Sequence, residues 1–203
     1  MPIEGRTVTD ERHVFLRSRR SIRRFKPDPV PASVIDRILE TATYAPSAHN
    51  LQPWFFVMVV DASIRKRLAI ALTAKLRTDM SAAGAPETEV EKRAKRSLRR
   101  LDEAPAVILL CRDTTAVRKD EPEEVTMAIQ SVAACGLQLL LAAHAEGLGG
   151  NWICWPLYAQ EAAREALELP ITWEPQGLFI VGYADEEPRA KKRKDLTSIS
   201  LWI

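Results

Sequence analysis

Apolar and polar positions along the chain fall into alternating helical and extended periods. Residues 10–19 read as a helix that Thr9 or Asp10 can cap, with a run of arginines following its end. Pro31 opens a second helix, in which Val34, Ile35, Ile38, Leu39 and Ala42 recur on one face up to Pro46. Residues 54–60, WFFVMVV, are continuously apolar, which predicts a strand buried on both faces. Asp61 then caps a helix over about residues 63–76. Residues 106–111 form a second apolar strand, and 123–146 the longest helix. Further strands are expected at 151–154 and 178–181, with a short helix at 160–168 between them.

Three segments depart from that alternation. Residues 78–103 enter through Gly84 and Pro86 and continue as TEVEKRAKRSLRRLDE, a charged helix that reads either as a solvated, ion-paired face or as a lid. The 123–146 helix is apolar nearly all round, so it must be buried on several sides, and a subunit interface would achieve that. Its C-terminus is closed by the glycines of 147–150. The tail RAKKRKDLTSISLWI is basic and then apolar, which predicts packing of its end. Helices alternating with a few buried strands indicate a layered α/β or α+β domain. No linker or repeat divides residues 1–203, so a single domain is expected.

Composition narrows the classes. A formal net charge of +2 argues against a nucleic-acid binder built on the basic clusters at 17–26, 92–100 and 189–194, since acidic runs at 120–124 and 185–187 offset them. Three widely spaced cysteines, Cys111, Cys135 and Cys154, suggest buried, reduced thiols rather than a disulfide frame or a zinc site. The N-terminus lacks the apolar core of a signal peptide, and Gln130, Gln138 and His144 interrupt the longest apolar run; a cytoplasmic protein with no membrane span is expected. G-x-S-x-G and H-E-x-x-H are absent, and there are three histidines.

Candidate chemistry concentrates in two places. RSRRSIRRFK, residues 17–26, carries six basic side chains with no acid and with Ser21 among them. Planar guanidinium forks with a short hydroxyl suit a phosphate. Residues 45–54, APSAHNLQPW, form a polar, proline-bracketed turn running into an apolar strand, a usual place for a binding loop.

Together, Arg19-Arg20-Ser21-Ile22-Arg23 and Pro46-Ser47-Ala48-His49-Asn50-Leu51-Gln52-Pro53-Trp54 resemble the R-x-S-x-[KR] and P-S-[SA]-x-N-x-Q-P-W elements of the FMN-dependent nitroreductase family. The pattern G-L-G-x-x-W-I at 147–153, with W-E-P-Q-G at 173–177, is similar to a branch that includes the C-terminal domain of the F420 ligase of actinobacteria. The resemblance implies an α+β fold, a mixed central sheet wrapped by helices in an intertwined homodimer with FMN at its interface. It also implies that Arg19, Arg20 and Ser21 contact the FMN phosphate and that Arg23 lies at the N1–C2=O edge of the ring.

By the same resemblance, Pro46, Ser47, Ala48 and Asn50 reach the flavin of the neighbouring subunit, Ala48 by its main chain only. Cys154-Trp155 stands where many relatives have Glu-Gly beside N5, and Arg193 returns to the phosphate from the tail. His49 and Trp155 are expected to line the substrate space. No catalytic side chain is required, because the chemistry belongs to the cofactor. The implied activity is a ping-pong hydride relay from NAD(P)H to a nitroaromatic, quinone or other conjugated electrophile. A deazaflavin (F420)-linked or biosynthetic reductase of the same fold and a non-catalytic flavin-binding protein remain as alternatives.

Overall fold

AVILLC at 106–111 alternates its side chains between two faces that are both apolar, and this places it at the centre of the molecule. In the computed structural model, which describes residues 11–188 and 191–203, this segment belongs to strand β2 (Ala106–Asp113), and Ala106–Arg112 are all buried. It pairs antiparallel with β1 (Trp54–Met58) on one side and β4 (Trp173–Gly182) on the other; β3 (Gly149–Ile153) pairs antiparallel with β4, giving the order β1-β2-β4-β3. Ile108, Leu110, Phe179 and Val181 face α2 (Ala32–Ala42) and α5 (Pro122–Ala145) in one core. Val107, Leu109, Leu178 and Ile180 face α3 (Ala62–Ala82), α4 (Glu87–Asp102) and α7 (Gln160–Ala166) in the other. The protein is α+β, a four-stranded sheet between two helical layers.

Two bridges extend the sheet past its edge strands. Ser21 pairs with Gly150 in parallel and Phe25 with Ala184 antiparallel. The first is the sheet's parallel element, and the N–H of Ile22 donates to Gly150 O at 3.0 Å. Ile22 is buried and acts as the apolar peg of this segment. The arginine-rich stretch is therefore stitched onto the sheet immediately after α1 (Glu11–Ser18) ends. Thr9 and Asp10, the expected cap of α1, lie outside the described residues.

Several expectations are corrected. The 54–60 segment is not buried on both faces: β1 ends at Met58, and only Trp54 within it is buried, because β1 is an edge strand. Helix α3 runs past Leu76 to Ala82, since no breaker intervenes before Gly84, which ends it at φ +76°. The charged 87–102 helix packs on α3 through Val90, Ala94, Ser97 and Leu101. Gly149 and Gly150 start β3, and only Gly147 (φ +75°) closes α5, with Leu148 N–H donating to Ala143 O at 2.9 Å and Gly147 N–H to His144 O at 3.1 Å. Strand β4 begins at Trp173, so the W-E-P-Q entry is itself extended. A short helix, α6 (Trp155–Tyr158), follows β3. Cys111 and Cys135 are buried, but Cys154 is exposed because β3 stops before it. The tail ends exposed, with Leu201, Trp202 and Ile203 left uncovered by the described residues.

Candidate functional site

The extended segment after α1 alternates, so Ile22 points inward while Ser21 and Arg23 take the opposite side. They open onto a pocket of about 630 Å³ lined by Arg19, Arg20, Ser21, Arg23 and, from the other end of the chain, Glu186 and Arg193. Arg19, Arg20, Ser21, Arg23 and Arg193 thus line one pocket. Burial, then Arg20, then Arg193 hold the Arg19 guanidinium below its ordinary pKa. A half-buried cation next to two others is unfavourable until an anion arrives. Arg20 is partly engaged elsewhere: its Nη1 donates to the carbonyls of Arg17 and, at 2.9 Å, Arg19, clamping the end of α1.

Glu186 was not singled out from the sequence. Its Oε1 accepts the main-chain N–H groups of Arg23 at 2.5 Å and Arg24 at 3.1 Å, holding the strand from the tail side. Nothing local marks it, because its partners lie more than 160 positions away. His144, also unassigned, sits behind Arg19: its Nε2 lies 2.8 Å from Ser18 Oγ, and its ring stacks on Phe15 at 4.8 Å. Burial and the nearby Arg19 depress its pKa.

The Pro46–Trp54 turn lies elsewhere. Ala48 N–H donates to Ser131 Oγ on α5 at 3.1 Å, and Gln52 N–H to Ser47 Oγ at 3.1 Å. His49, Asn50 and Gln52 all have positive φ (53°, 54° and 48°), a concentration of left-handed backbone typical of functional turns. Ser131 and His144 are on one helix, about 20 Å apart at 1.5 Å per residue. Within one chain, Pro46, Ser47, Ala48 and Asn50 therefore do not line the arginine pocket. His49 meets Arg118 (Nδ1 to Nη1, 3.2 Å) and the buried carboxylate of Glu124 (Nε2 to Oε1, 3.6 Å). Both partners were missed for the same long-range reason.

Cys154 precedes α6, exposed, and Trp155 is half-buried in a second concavity with Arg96 and Arg100 of α4. Burial, then Arg96 and Arg23, hold the Arg100 guanidinium below its ordinary pKa, against an opposing pull from Glu186. A buried ion pair, Arg112 with Glu174 (2.8 and 3.3 Å), braces β2 against β4 near the bulge at Leu110/Cys111 and is structural. Among the described residues no cluster of His, Cys, Asp or Glu could hold a metal ion.

The family described as the Nitroreductase family matches residues 16–183, most of the chain and both motifs. The chain belongs to the nitroreductase family. The YfhC protein of Bacillus subtilis, named provisionally as an NAD(P)H nitroreductase, is 32% identical over 182 residues, covering 88% of this chain and 87% of the relative. The 5,6-dimethylbenzimidazole synthase of Rhodospirillum rubrum is 29% identical over 190 residues, covering 92% and 88%. Among solved structures, an FMN-dependent nitroreductase of Clostridium difficile is 28% identical with a TM-score of 0.68, covering 93% of this chain and 96% of its own. This nitroreductase-family chain is an oxidoreductase. Arg193 and the rest of the tail lie beyond the matched residues.

Proposed function

We propose that the protein is an FMN-dependent oxidoreductase that takes electrons from NAD(P)H and delivers them, by a ping-pong mechanism, to a nitroaromatic, quinone or other conjugated electrophile. The carrying observation is the half-buried Arg19, crowded by Arg20 and Arg193 with no carboxylate on its guanidinium among the described residues. A phosphate dianion relieves that crowding, and Ser21 adds a hydroxyl donor. When bound, the flavin supplies the hydride chemistry. The chain's own part is to bind and tune. Arg19, Ser21 and Arg193 grip the phosphate, with Arg20 holding the end of α1 behind them. Arg23 places a cation along the ring edge, favouring negative charge there. Cys154 and Trp155 bound the space at the other end.

The Pro46-Ser47-Ala48-Asn50 turn, remote from its own pocket, serves a partner subunit's flavin, with His49 facing that partner's substrate. The homodimer this requires is supported by apolar residues left exposed on α5, Ile129 (40%) and Leu137 (50%), and by the exposed tail. One second reading keeps the fold: a biosynthetic enzyme, which the likeness to the R. rubrum synthase favours, or a deazaflavin-linked reductase for which NAD(P)H is not the working donor. Steady-state oxidation of NADPH against reduced F420 separates the two.

The site itself is tested with Arg19→Ala/Ser21→Ala. Losing two charge-assisted contacts at about 1.5–3 kcal/mol each leaves a folded protein purified largely without flavin. Wild-type protein should release about one FMN per subunit on denaturation. Full flavin retention by the double variant would place the phosphate anchor elsewhere.

A further inference from the structure

Between α3, α4 and α6 lies the second concavity, of about 390 Å³. Its walls are of two kinds. Leu72, Leu76 and Met80 of α3 join the side chains of half-buried Trp155 and largely exposed Tyr158, with the Lys75–Asp79 ion pair at the margin. Opposite them stand Arg93, Arg96 and Arg100, spaced three and four residues apart and so on one face of α4. That stripe flanks the buried Val90, Ala94, Ser97 and Leu101 stripe that seats α4 on α3. Elsewhere on this hairpin Arg77 pairs with Glu91, Arg99 with Glu103, and Lys75 with Asp79. Arg93, Arg96 and Arg100 form no ion pair among the described residues. Like charges one helical turn apart repel, and Arg100 is half-buried as well.

Three guanidiniums without an ion pair among the described residues, lining one concavity with two aromatic side chains, describe a ligand with an acid group at one end and a flat ring at the other. We propose that this pocket selects the electron acceptor, and that the acceptor is an aromatic ring bearing a carboxylate or similar acid, gripped by Arg96 and Arg100 and stacked on Trp155 and Tyr158. The inference rests on the flavin-dependent reading given above. For a nitroaromatic acid, one turnover moves a hydride from NAD(P)H and a proton to the nitro group, giving the nitroso compound, NAD(P)+ and water. The acid group takes no part in that balance; it positions the ring.

The test uses purified holoenzyme, NADH as donor, and two acceptors of equal shape, 4-nitrobenzoate and the neutral 4-nitrobenzamide. Wild-type kcat/KM should favour the acid by about tenfold or more, mainly through KM, as expected of a charge-assisted contact. In Arg96→Gln/Arg100→Gln, the preference should collapse towards unity. Calorimetric titration of 4-nitrobenzoate should weaken in the double variant by a similar factor, and circular dichroism should show α4 intact. Equal kcat/KM for the two acceptors in flavin-loaded wild type, or a preference that survives the double substitution, overturns the proposal and leaves the flavin reading standing. Slowed single-turnover reduction by NADH with the acceptor ratio unchanged also overturns it, assigning the arginines to the donor. Protein that neither carries nor takes up FMN fails the underlying reading instead, and the calorimetric comparison then decides on the pocket alone.

Discussion

A methyl group at Gly149 tests whether the sheet edge positions the phosphate anchor. A Cβ built there would stand 2.7 Å from both Cβ and Cγ1 of Ile22 and 2.9 Å from its Cγ2. Ile22 cannot swing away: its own Cβ is one of the clashing atoms, its branched side chain is stiff at χ1, and its N–H is bonded to Gly150 O. The segment 21–23 must therefore move, carrying Ser21 and Arg23. Overpacking of this kind costs about 1–3 kcal/mol. If the empty protein relaxes by displacing the segment, flavin binding must force it back, and the FMN Kd rises by about 5- to 150-fold. If it does not relax, the melting temperature of the flavin-stripped protein falls by about 2–12 °C. Fluorescence titration of stripped Gly149→Ala with FMN, beside calorimetric melting, reads both. Gly147→Ala is the control: its Cβ would meet nothing within 4 Å among the described residues, so the positive φ alone should lower stability while leaving FMN affinity as it was. Unchanged affinity and unchanged melting in Gly149→Ala would refute the coupling between the β3 edge and the anchor.

Three further outcomes are expected. The pKa of His144 is depressed, so its neutral form is favoured by folding; the stability it contributes is present above the ordinary value of 6.5 and is lost as pH falls below it. Flavin-free wild type should thus lose more melting temperature between about pH 7 and 5 than His144→Gln does, and bound FMN should shrink the gap; parallel curves would remove this role. Burial pushes the Cys111 and Cys135 thiols up to about 12, so native protein should react with a maleimide at Cys154 alone, and a second fast equivalent would contradict the packing. Glu174→Ala leaves Arg112, whose side chain is 7% exposed, without its partner, and should destabilise the fold by about 3–5 kcal/mol; a melting temperature within a degree of wild type would show the pair to be dispensable.

Local signals were readable where they depend on neighbours in sequence. Asp61 caps α3 through the N–H groups of Ser63 and Ile64, Pro31 precedes α2, Gly147 closes α5, and the alternation of Val107-Ile108-Leu109-Leu110 marks a strand with two apolar faces. The arginine-serine and proline-bracketed motifs also pointed to the family now established by its match to residues 16–183. Edge and centre positions were not readable. WFFVM is as apolar as AVILLC, yet β1 lies at the border of the sheet, because strand order depends on which segments pair. Cys154 looked like a strand residue and proved exposed because β3 ends one residue earlier.

By itself, the sequence determined the element types, the family and the clustering of cations after α1, since periodicity, capping and short motifs are carried by residues within a few positions of one another. Only the tertiary structure decided which of those cations share a pocket. Arg193 reaches Arg19, Glu186 holds the main chain of Arg23 and Arg24, Ser131 fixes Ala48, and the Arg93–Arg96–Arg100 stripe turns towards Trp155. Each of these depends on where the sheet returns a distant segment, and pairing at that range is set by how whole faces bury against one another.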